Sequence, residues 1–146
     1  MDPPLKDWVK LNFDGAARGN PGTTGIKCII NDYTGQWIAK ITKFIRPMSN
    51  NLAELEALEE GLTLCQYLGL SKIFIEGNSQ IVLNAIRNRA TPNWVLNSKL
   101  EEVINLLDRF EDISIFHIFQ EGNQKEDLLA NKGVHVINLL VFRDGL

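Results

Sequence analysis

The sequence predicts one α/β domain in which helices cover a mixed β-sheet. Apolar and polar residues alternate in three early segments that short turns connect, which is typical of antiparallel strands. After Pro47 the apolar residues recur at helical spacing, and short β-like runs then alternate with helices. A length of 146 residues, 45% of them hydrophobic and 23% charged, suits one domain with a buried core and excludes general disorder.

The three predicted antiparallel strands cover residues 8–13, 26–30 and 36–45. In the first strand Val9, Leu11 and Phe13 lie on one side, as expected of a half-buried strand. Residues 15–25 (GAARGNPGTTG) are dense in turn-forming residues, so we expect a turn there, with its tight bend at Asn20-Pro21-Gly22.

Helical spacing marks four later segments. The first follows Pro47 and ends at Gly69, and its apolar stripe consists of Leu52, Leu55, Leu58, Leu62 and Cys65. The other predicted helices cover residues 79–89, 94–110 and 124–132, and short strands cover residues 72–75 and 113–119. The resulting order is β-β-β-α-β-α-α-β-α, and residues 133–146 form an apolar tail to which we assign neither an element nor a function.

Composition and charge exclude several classes of function. Lysine and arginine number 15 and acidic residues 18, so the net charge of −3 excludes a polybasic clamp but leaves room for a nucleic-acid enzyme. Cys28 and Cys65 lie in apolar runs, which predicts buried thiols of a reducing compartment, and no CxxC pair is present. No apolar stretch approaches about 18 residues, and no signal peptide begins the sequence. We therefore expect a monomeric, intracellular protein that is neither secreted nor membrane-bound.

Four polar residues lie where predicted elements meet. Asp14 directly follows a strand, Asn78 follows another, and Glu54 and Asp127 lie in the first turns of helices. Each of the last three also has a structural explanation. Asn51 with Glu54 and Asn123 with Glu126 match capping boxes, and Asn78 is a candidate N-cap. Only Asp14 favours a functional role by itself, because it has no evident capping task.

Together these positions match a known family. The segments FDGAARGNPG, SNNLAELEAL, IEGNSQIVLNAI and EGNQKEDLLA, in this order, make the chain resemble the type 1 ribonuclease H domain from about residue 8 to residue 132. The likeness is greatest to the plant branch found in non-LTR retrotransposons and reverse-transcriptase-associated domains. It implies the ribonuclease H-like fold, a five-stranded mixed sheet with three antiparallel strands, parallel additions and helices on both faces.

The resemblance also implies an endonuclease that cuts the RNA strand of RNA–DNA hybrids. Asp14, Glu54, Asn78 and Asp127 correspond to the family's four catalytic carboxylates, which hold two Mg²⁺ ions, with Mn²⁺ as a possible substitute. In that correspondence Asp14 bridges both ions, Glu54 serves the ion nearer the leaving group, and Asp127 serves the ion that activates water. Hard cations of this kind require oxygen ligands.

Asn78 is a departure from the family pattern, because the sequence reads GNSQ where the family has GDSQ. The amide keeps one carbonyl oxygen but loses a negative charge beside the metal ions, so we expect impaired metal binding. The change is either natural, giving a degenerate or binding-only domain, or an engineered lesion. Survival of the other three carboxylates favours a parent form that is active. The loop over residues 120–125 also lacks the family's mobile histidine, and neither His117 nor His135 is assigned a catalytic role.

The resemblance assigns substrate contacts to groups that are mostly uncharged. The backbone amides of Gly15, Ala16 and Ala17 and the side chains of Asn50, Asn51 and Gln80 align with groups that read the hybrid's minor groove. Asn20 and Ser49 match a pocket for a DNA phosphate. Turn formation and helix capping are the alternatives for Asn20, Asn50 and Asn51.

The family's basic, tryptophan-rich protrusion is missing, since residues 89–93 join the two central helices directly, and we interpret Trp94 as a core or hinge aromatic. We therefore expect weak, salt-sensitive binding, supplemented by a reverse transcriptase or another nucleic-acid-binding module in a longer parent chain. A non-catalytic hybrid-binding or structural module is the main alternative to the enzyme. The exonuclease and integrase cores of the wider superfamily fit less well, because the Asn50-Asn51 pair and the GNPG turn favour hybrid recognition.

Overall fold

The computed structural model describes residues 6–19, 22–118 and 139–142. The elements in chain order are β1 (Val9–Gly19), β2 (Gly22–Asn31), β3 (Trp37–Met48), α1 (Asn50–Tyr67), β4 (Lys72–Gly77), α2 (Gln80–Asn88), α3 (Trp94–Leu107), β5 (Asp112–His117) and β6 (Leu139–Phe142). The strands form one six-stranded sheet in the order β5-β4-β1-β2-β3-β6.

The sheet is mixed, as the sequence predicts. β1, β2 and β3 pair antiparallel with their chain neighbours, whereas β4 runs parallel to β1 and β5 parallel to β4. The predicted fold class and its five strands are confirmed. The apolar tail adds β6, which pairs antiparallel with β3 through residues 139–142 and occupies one edge of the sheet.

The first hairpin is much longer than predicted. β1 and β2 stay in register from Lys10 opposite Asn31 to Gly19 opposite Gly22, so the prediction of a turn over residues 15–25 was wrong. Turn-forming residues dominate this segment, but paired backbone hydrogen bonds along both strands outweigh their local preference. Asn20 and Pro21 lie outside the described residues.

The hydrophobic core lies between the sheet and the three helices of the described residues. Leu11 and Phe13 of β1 and Cys28 of β2 are at most 1% exposed on this face. A Cβ atom on Gly61 of α1 would lie only 2.6 Å from a Leu11 methyl group, so the helix approaches the sheet closely there. The helix predicted over residues 124–132 lies outside the described residues, and helices on both faces therefore stay a prediction.

The helix caps differ from those predicted. Ser49 caps α1 by accepting a hydrogen bond from the Leu52 N–H at 3.4 Å, and Ser79 caps α2 by accepting one from Val82 at 3.3 Å. The capping roles predicted for Asn51 with Glu54 and for Asn78 were therefore wrong. In each helix a serine hydroxyl instead accepts a hydrogen bond from one of the N–H groups that the first turn leaves without a helical partner.

Both cysteines are free and buried, as predicted. Burial raises the pKa of the Cys65 thiol to about 12 and that of Cys28 well above its usual value. The Cys28 thiol donates a hydrogen bond to the Ala57 carbonyl oxygen of α1 at 2.8 Å. Among the described residues, no helix has the length and apolar character that crossing a bilayer requires.

A half-buried charge cluster joins α1 to α3. The ammonium of Lys99 lies 3.3 Å from Glu56, 2.8 Å from Glu59 and 2.9 Å from Glu102. Burial, together with a hydrogen bond to Glu102, raises the pKa of Glu59 from 4.5 to about 7, although Lys99 opposes this shift. One lysine thus faces three carboxylates, and one of these carboxylates holds its proton near neutral pH.

Because Glu59 binds its proton more tightly in the folded state, its contribution to stability is fully present below pH 4.5 and is lost as the pH rises to about 7. After allowance for solvent screening, we expect this loss to be about 1 kcal/mol. Glu59→Gln removes the titration and should flatten the pH dependence of the free energy of unfolding in this window. Urea unfolding at intervals between about pH 5 and pH 8 measures the effect.

The matched control is Glu101→Gln on the exposed face of α3, which should keep the wild-type pH dependence. Hydrogen bonds with Glu59 and Lys99 lower the pKa of Glu102, so Glu102 titrates below this pH window. An unchanged slope in Glu59→Gln would contradict the assignment to Glu59.

Candidate active site

Two side chains of α1 take the place of a neighbouring strand along the last part of β1. β4 pairs with β1 only as far as Asn12, which lies opposite Glu76. Beyond that point the Gly15 N–H donates to Glu54 Oε1 at 2.7 Å and the Ala17 N–H donates to Asn50 Oδ1 at 3.1 Å. The end of β1 is therefore fixed to α1 by hydrogen bonds rather than by strand pairing.

Gly15 allows the strand and the helix to touch. A Cβ atom at this position would lie 2.5 Å from the carbonyl carbon and oxygen of Ala53, a distance that no real side chain tolerates. Asp14 and Glu54 flank this contact, and each is 5% exposed. Buried acidic residues of β1 and α1 therefore lie at this strand–helix junction.

A second glycine contact brings Asn78 to the same place. A Cβ atom on Gly77 would lie 2.8 Å from the ring of Phe13, so the end of β4 packs against the residue that precedes Asp14. Asn78 follows directly, and its carbonyl oxygen lies 3.2 Å from Nε2 of His117, the last residue of β5. The backbone of Asp14, Glu54 and Asn78 therefore converges at the junction of β1, α1 and the end of β4. Asp127 lies outside the described residues.

Sequence reasoning missed Lys27. In the register of the sheet Lys27 lies directly between Asp14 of β1 and Thr42 of β3, and these three residues are 1%, 5% and 6% exposed respectively. The neighbours of Lys27, Ile26 and Cys28, face the hydrophobic core. A lysine inside the apolar run IKCII was the available sign of an unusual role, because charged residues are almost never fully buried without a partner.

The donor atoms suit a hard cation. Within the described part of the chain, the candidate ligands are the carboxylates of Asp14 and Glu54 and the amide oxygen of Asn78, and such oxygens suit Mg²⁺. No group of three or more His, Cys, Asp or Glu side chains that could hold a metal occurs in this part. Neutral Asn78 and cationic Lys27, which lies opposite Asp14, reduce the negative charge of this donor set.

The three predicted groove-reading side chains, Asn50, Asn51 and Gln80, lie at the N-terminal ends of α1 and α2. A groove of about 390 Å³ runs from there along α2 to the start of α3. Its lining is mostly apolar but includes four asparagines, namely Asn51, Asn84, Asn88 and Asn93, so we call it the amide groove. Gln80 borders the groove by donating a hydrogen bond to Asn84 at 3.0 Å. Asn51 and Gln80 thus come together.

The other predicted contacts carry structural duties. The amides of Gly15 and Ala17 already donate to Glu54 and Asn50, and Ala16 between them is half-buried. Ser49 caps α1. Trp94 is 80% exposed at the start of α3, so its interpretation as a core aromatic was wrong. Trp94 follows Asn93 of the amide groove, whose side chain caps α3. The Trp94 indole lies in solvent.

Comparison with known proteins identifies relatives of the chain. Residues 12–133 match the family described as reverse transcriptase-like. The chain is 28% identical over 88% of its length to an Arabidopsis thaliana protein provisionally named a ribonuclease H protein, of which it spans 21%. It is 32% identical to the ribonuclease HI of Halobacterium salinarum, over 86% of this chain and 64% of that protein. The chain therefore spans less than two thirds of either relative.

Solved structures agree with this likeness. The crystal structure of RNase H1 from Halobacterium salinarum superposes with a TM-score of 0.83 at 32% identity, covering 88% of this chain and 98% of that one. An RNase H1 solved in complex with an RNA/DNA hybrid gives a TM-score of 0.80 at 26% identity, covering 87% and 96%.

Gly15→Ala should destabilise the protein by about 3 kcal/mol or more, because the new methyl group would force β1 and the backbone of α1 apart. The free energy of unfolding in urea measures this cost. Gly35→Ala is the control, since Gly35 has open space around it but a φ of +90°. Its backbone strain alone should cost about 1–2 kcal/mol. Equal costs at the two positions would show that close contact at Gly15 is unimportant.

Proposed function

Because this chain belongs to the ribonuclease H family, we propose that it binds RNA–DNA hybrids and hydrolyses their RNA strand with Mg²⁺, at a rate that Asn78 reduces. Mn²⁺ is the proposed substitute cation. The observation that carries the proposal is the contact at Gly15, which brings two buried acidic residues, Asp14 of β1 and Glu54 of α1, to one junction. Carboxylates contributed from two elements in this way suit a cation that acts on a phosphodiester.

The residues of the chain hold and orient the reacting groups. The Gly15 N–H donates to one oxygen of Glu54 at 2.7 Å, which fixes the orientation of that carboxylate at the residue that follows Asp14. His117 lies 3.2 Å from the Asn78 carbonyl oxygen, which fixes the backbone that presents the Asn78 amide. Asp127 supplies a further carboxylate in this proposal. When bound, Mg²⁺ polarises the phosphate and lowers the pKa of a coordinated water.

Neutral groups read the substrate in this proposal. The asparagines of the amide groove and Gln80 offer both donors and acceptors, which suit the 2′-hydroxyl groups that distinguish RNA from DNA. Asn20 and Ser49 are proposed to meet a phosphate of the DNA strand. With a net charge of −3, the domain gains little from general attraction to phosphates. A reverse transcriptase or another nucleic-acid-binding module in a longer parent chain is the proposed source of further affinity.

Asn78 lowers activity through charge. Its amide supplies one oxygen where the family has a carboxylate, so the site carries one negative charge fewer beside a divalent cation. The second candidate function, a hybrid-binding module without activity, is favoured by the same loss together with buried Lys27 opposite Asp14. Both residues reduce the negative charge that holds divalent cations.

Asn78→Asp should cleave only the RNA strand of a labelled RNA–DNA hybrid in Mg²⁺ or Mn²⁺, at least about tenfold faster than the wild-type chain. Restored ligand charge is the reason, and gel analysis of the cleavage products is the measurement. Asn105→Asp adds the same charge at an exposed position in the last turn of α3 and should give no gain. If neither Asn78→Asp nor the wild type cleaves while both are folded and bind the hybrid, the binding-module function replaces the enzyme.

Trp94→Ala should weaken hybrid binding by about tenfold, since stacking of one base on an aromatic ring contributes about 1–3 kcal/mol. Fluorescence anisotropy with a labelled hybrid measures the affinity. Tyr67→Ala is the matched control, because Tyr67 is an 81% exposed aromatic at the opposite end of α1 from the amide groove. Equal affinities of wild type and Trp94→Ala would exclude Trp94 from the hybrid interface.

A further inference from the structure

We propose that Lys27 is a built-in cation of the Asp14 site, which holds the site together without metal and weakens the binding of divalent cations. This inference rests on the proposed function only in identifying Asp14 as a metal ligand. It assigns a role to a residue that belongs to none of the four expected ligand positions. Its consequence is that two residues of this chain, Asn78 and Lys27, reduce metal binding independently.

The sheet register places Lys27 beside Asp14. Directly opposite residues of antiparallel strands share one face, with Cβ atoms about 4.5–5.5 Å apart. Asp14 pairs with Lys27 in this way, and Thr42 lies opposite Lys27 on its other side. Since Ile26 and Cys28 belong to the core beneath α1, the Lys27 side chain lies on the opposite face, together with Asp14.

The burial of Lys27 makes its position opposite Asp14 significant. Lys27 is 1% exposed, and a buried ammonium costs several kcal/mol unless an opposite charge lies close by. Asp14 is the acidic residue directly opposite and is itself 5% exposed. Among the described residues, the other acidic residue buried on this face is Glu76, which lies 3.8 Å from Lys10. Each of these two carboxylates therefore has a lysine of its own nearby.

Lys27 and a divalent cation compete for the same charge. A buried ammonium on the same face as Asp14 partly offsets the charge of that carboxylate, so an arriving cation meets a positive charge where it needs a negative one. Asn78 adds no compensating charge. An ammonium also differs from a metal ion in chemistry, because it offers no open coordination position for water or phosphate. Lys27 thus stabilises the carboxylates without supplying what hydrolysis needs.

Titration of the folded protein with Mn²⁺, followed by electron paramagnetic resonance of the free ion, tests the inference without reference to cleavage. We expect Lys27→Met to bind Mn²⁺ at least about tenfold more tightly than wild type, because removing a unit charge nearby has an effect of that order. Lys27→Arg keeps the charge and should leave the affinity near that of wild type. Lys40→Met is the matched control, since Lys40 lies on the same face opposite Ile29, farther from Asp14.

Unchanged or weaker Mn²⁺ binding by folded Lys27→Met would overturn the inference. Tight Mn²⁺ binding by the wild type, with a Kd below about 0.1 mM, would also overturn it, and this measurement needs no substitution at Lys27. If Asn78→Asp tightens Mn²⁺ binding but Lys27→Met does not, the proposed function survives and the role of Lys27 fails. If Lys27→Met tightens binding while no variant cleaves a hybrid, the role of Lys27 stands and the proposed function fails.

Discussion

The hydrogen bond from the Gly15 N–H to Glu54 joins the two halves of the candidate site. It is 2.7 Å long and buried, and it is possible only because residue 15 has no side chain to separate β1 from α1. A buried N–H without an acceptor is costly. Glu54 therefore stabilises the fold by accepting the hydrogen bond that no neighbouring strand accepts at this position. The same bond orients the carboxylate beside Asp14. Fold and site thus depend on one interaction at the point where β4 diverges from β1.

The order of the elements could be predicted because apolar periodicity changes clearly from strands to helices at Pro47. The extent of the first hairpin could not, since glycine and asparagine favour turns locally while the pairing of two long strands is a property of the whole sheet. β6 was missed for a similar reason: an edge strand that pairs with β3 depends on contacts distant in sequence. The caps were assigned to the wrong residues because Ser49 and Ser79 are as good N-caps as the asparagines beside them.

The candidate site was predicted from four short segments, and the structure brings the backbone of Asp14, Glu54 and Asn78 to one junction of β1, α1 and β4. Their proximity depends on Gly15 and Gly77, whose importance is visible only when the packing of α1 and Phe13 is known. Lys27 was missed because a single lysine in an apolar strand gives no indication of which acidic residue lies opposite it; that follows from strand register. Trp94 was misplaced because a tryptophan at helical spacing is more often buried than exposed. Sequence segments identify candidate ligands, whereas register and close contacts decide what surrounds them.

The reactivity of the buried Cys28 thiol can report the opening of the site. It lies beneath α1, where it donates to Ala57 and would be 3.2 Å from a Cβ atom on Gly61, so a reagent reaches it only after the helix has moved away from β1 and β2. Because the reactive thiolate is disfavoured in the folded state, alkylation of the native protein reports the fraction of molecules that are transiently open. That opening also separates Glu54 from Gly15. Cys28 is thus a natural reporter of the free energy with which the two carboxylates are kept assembled.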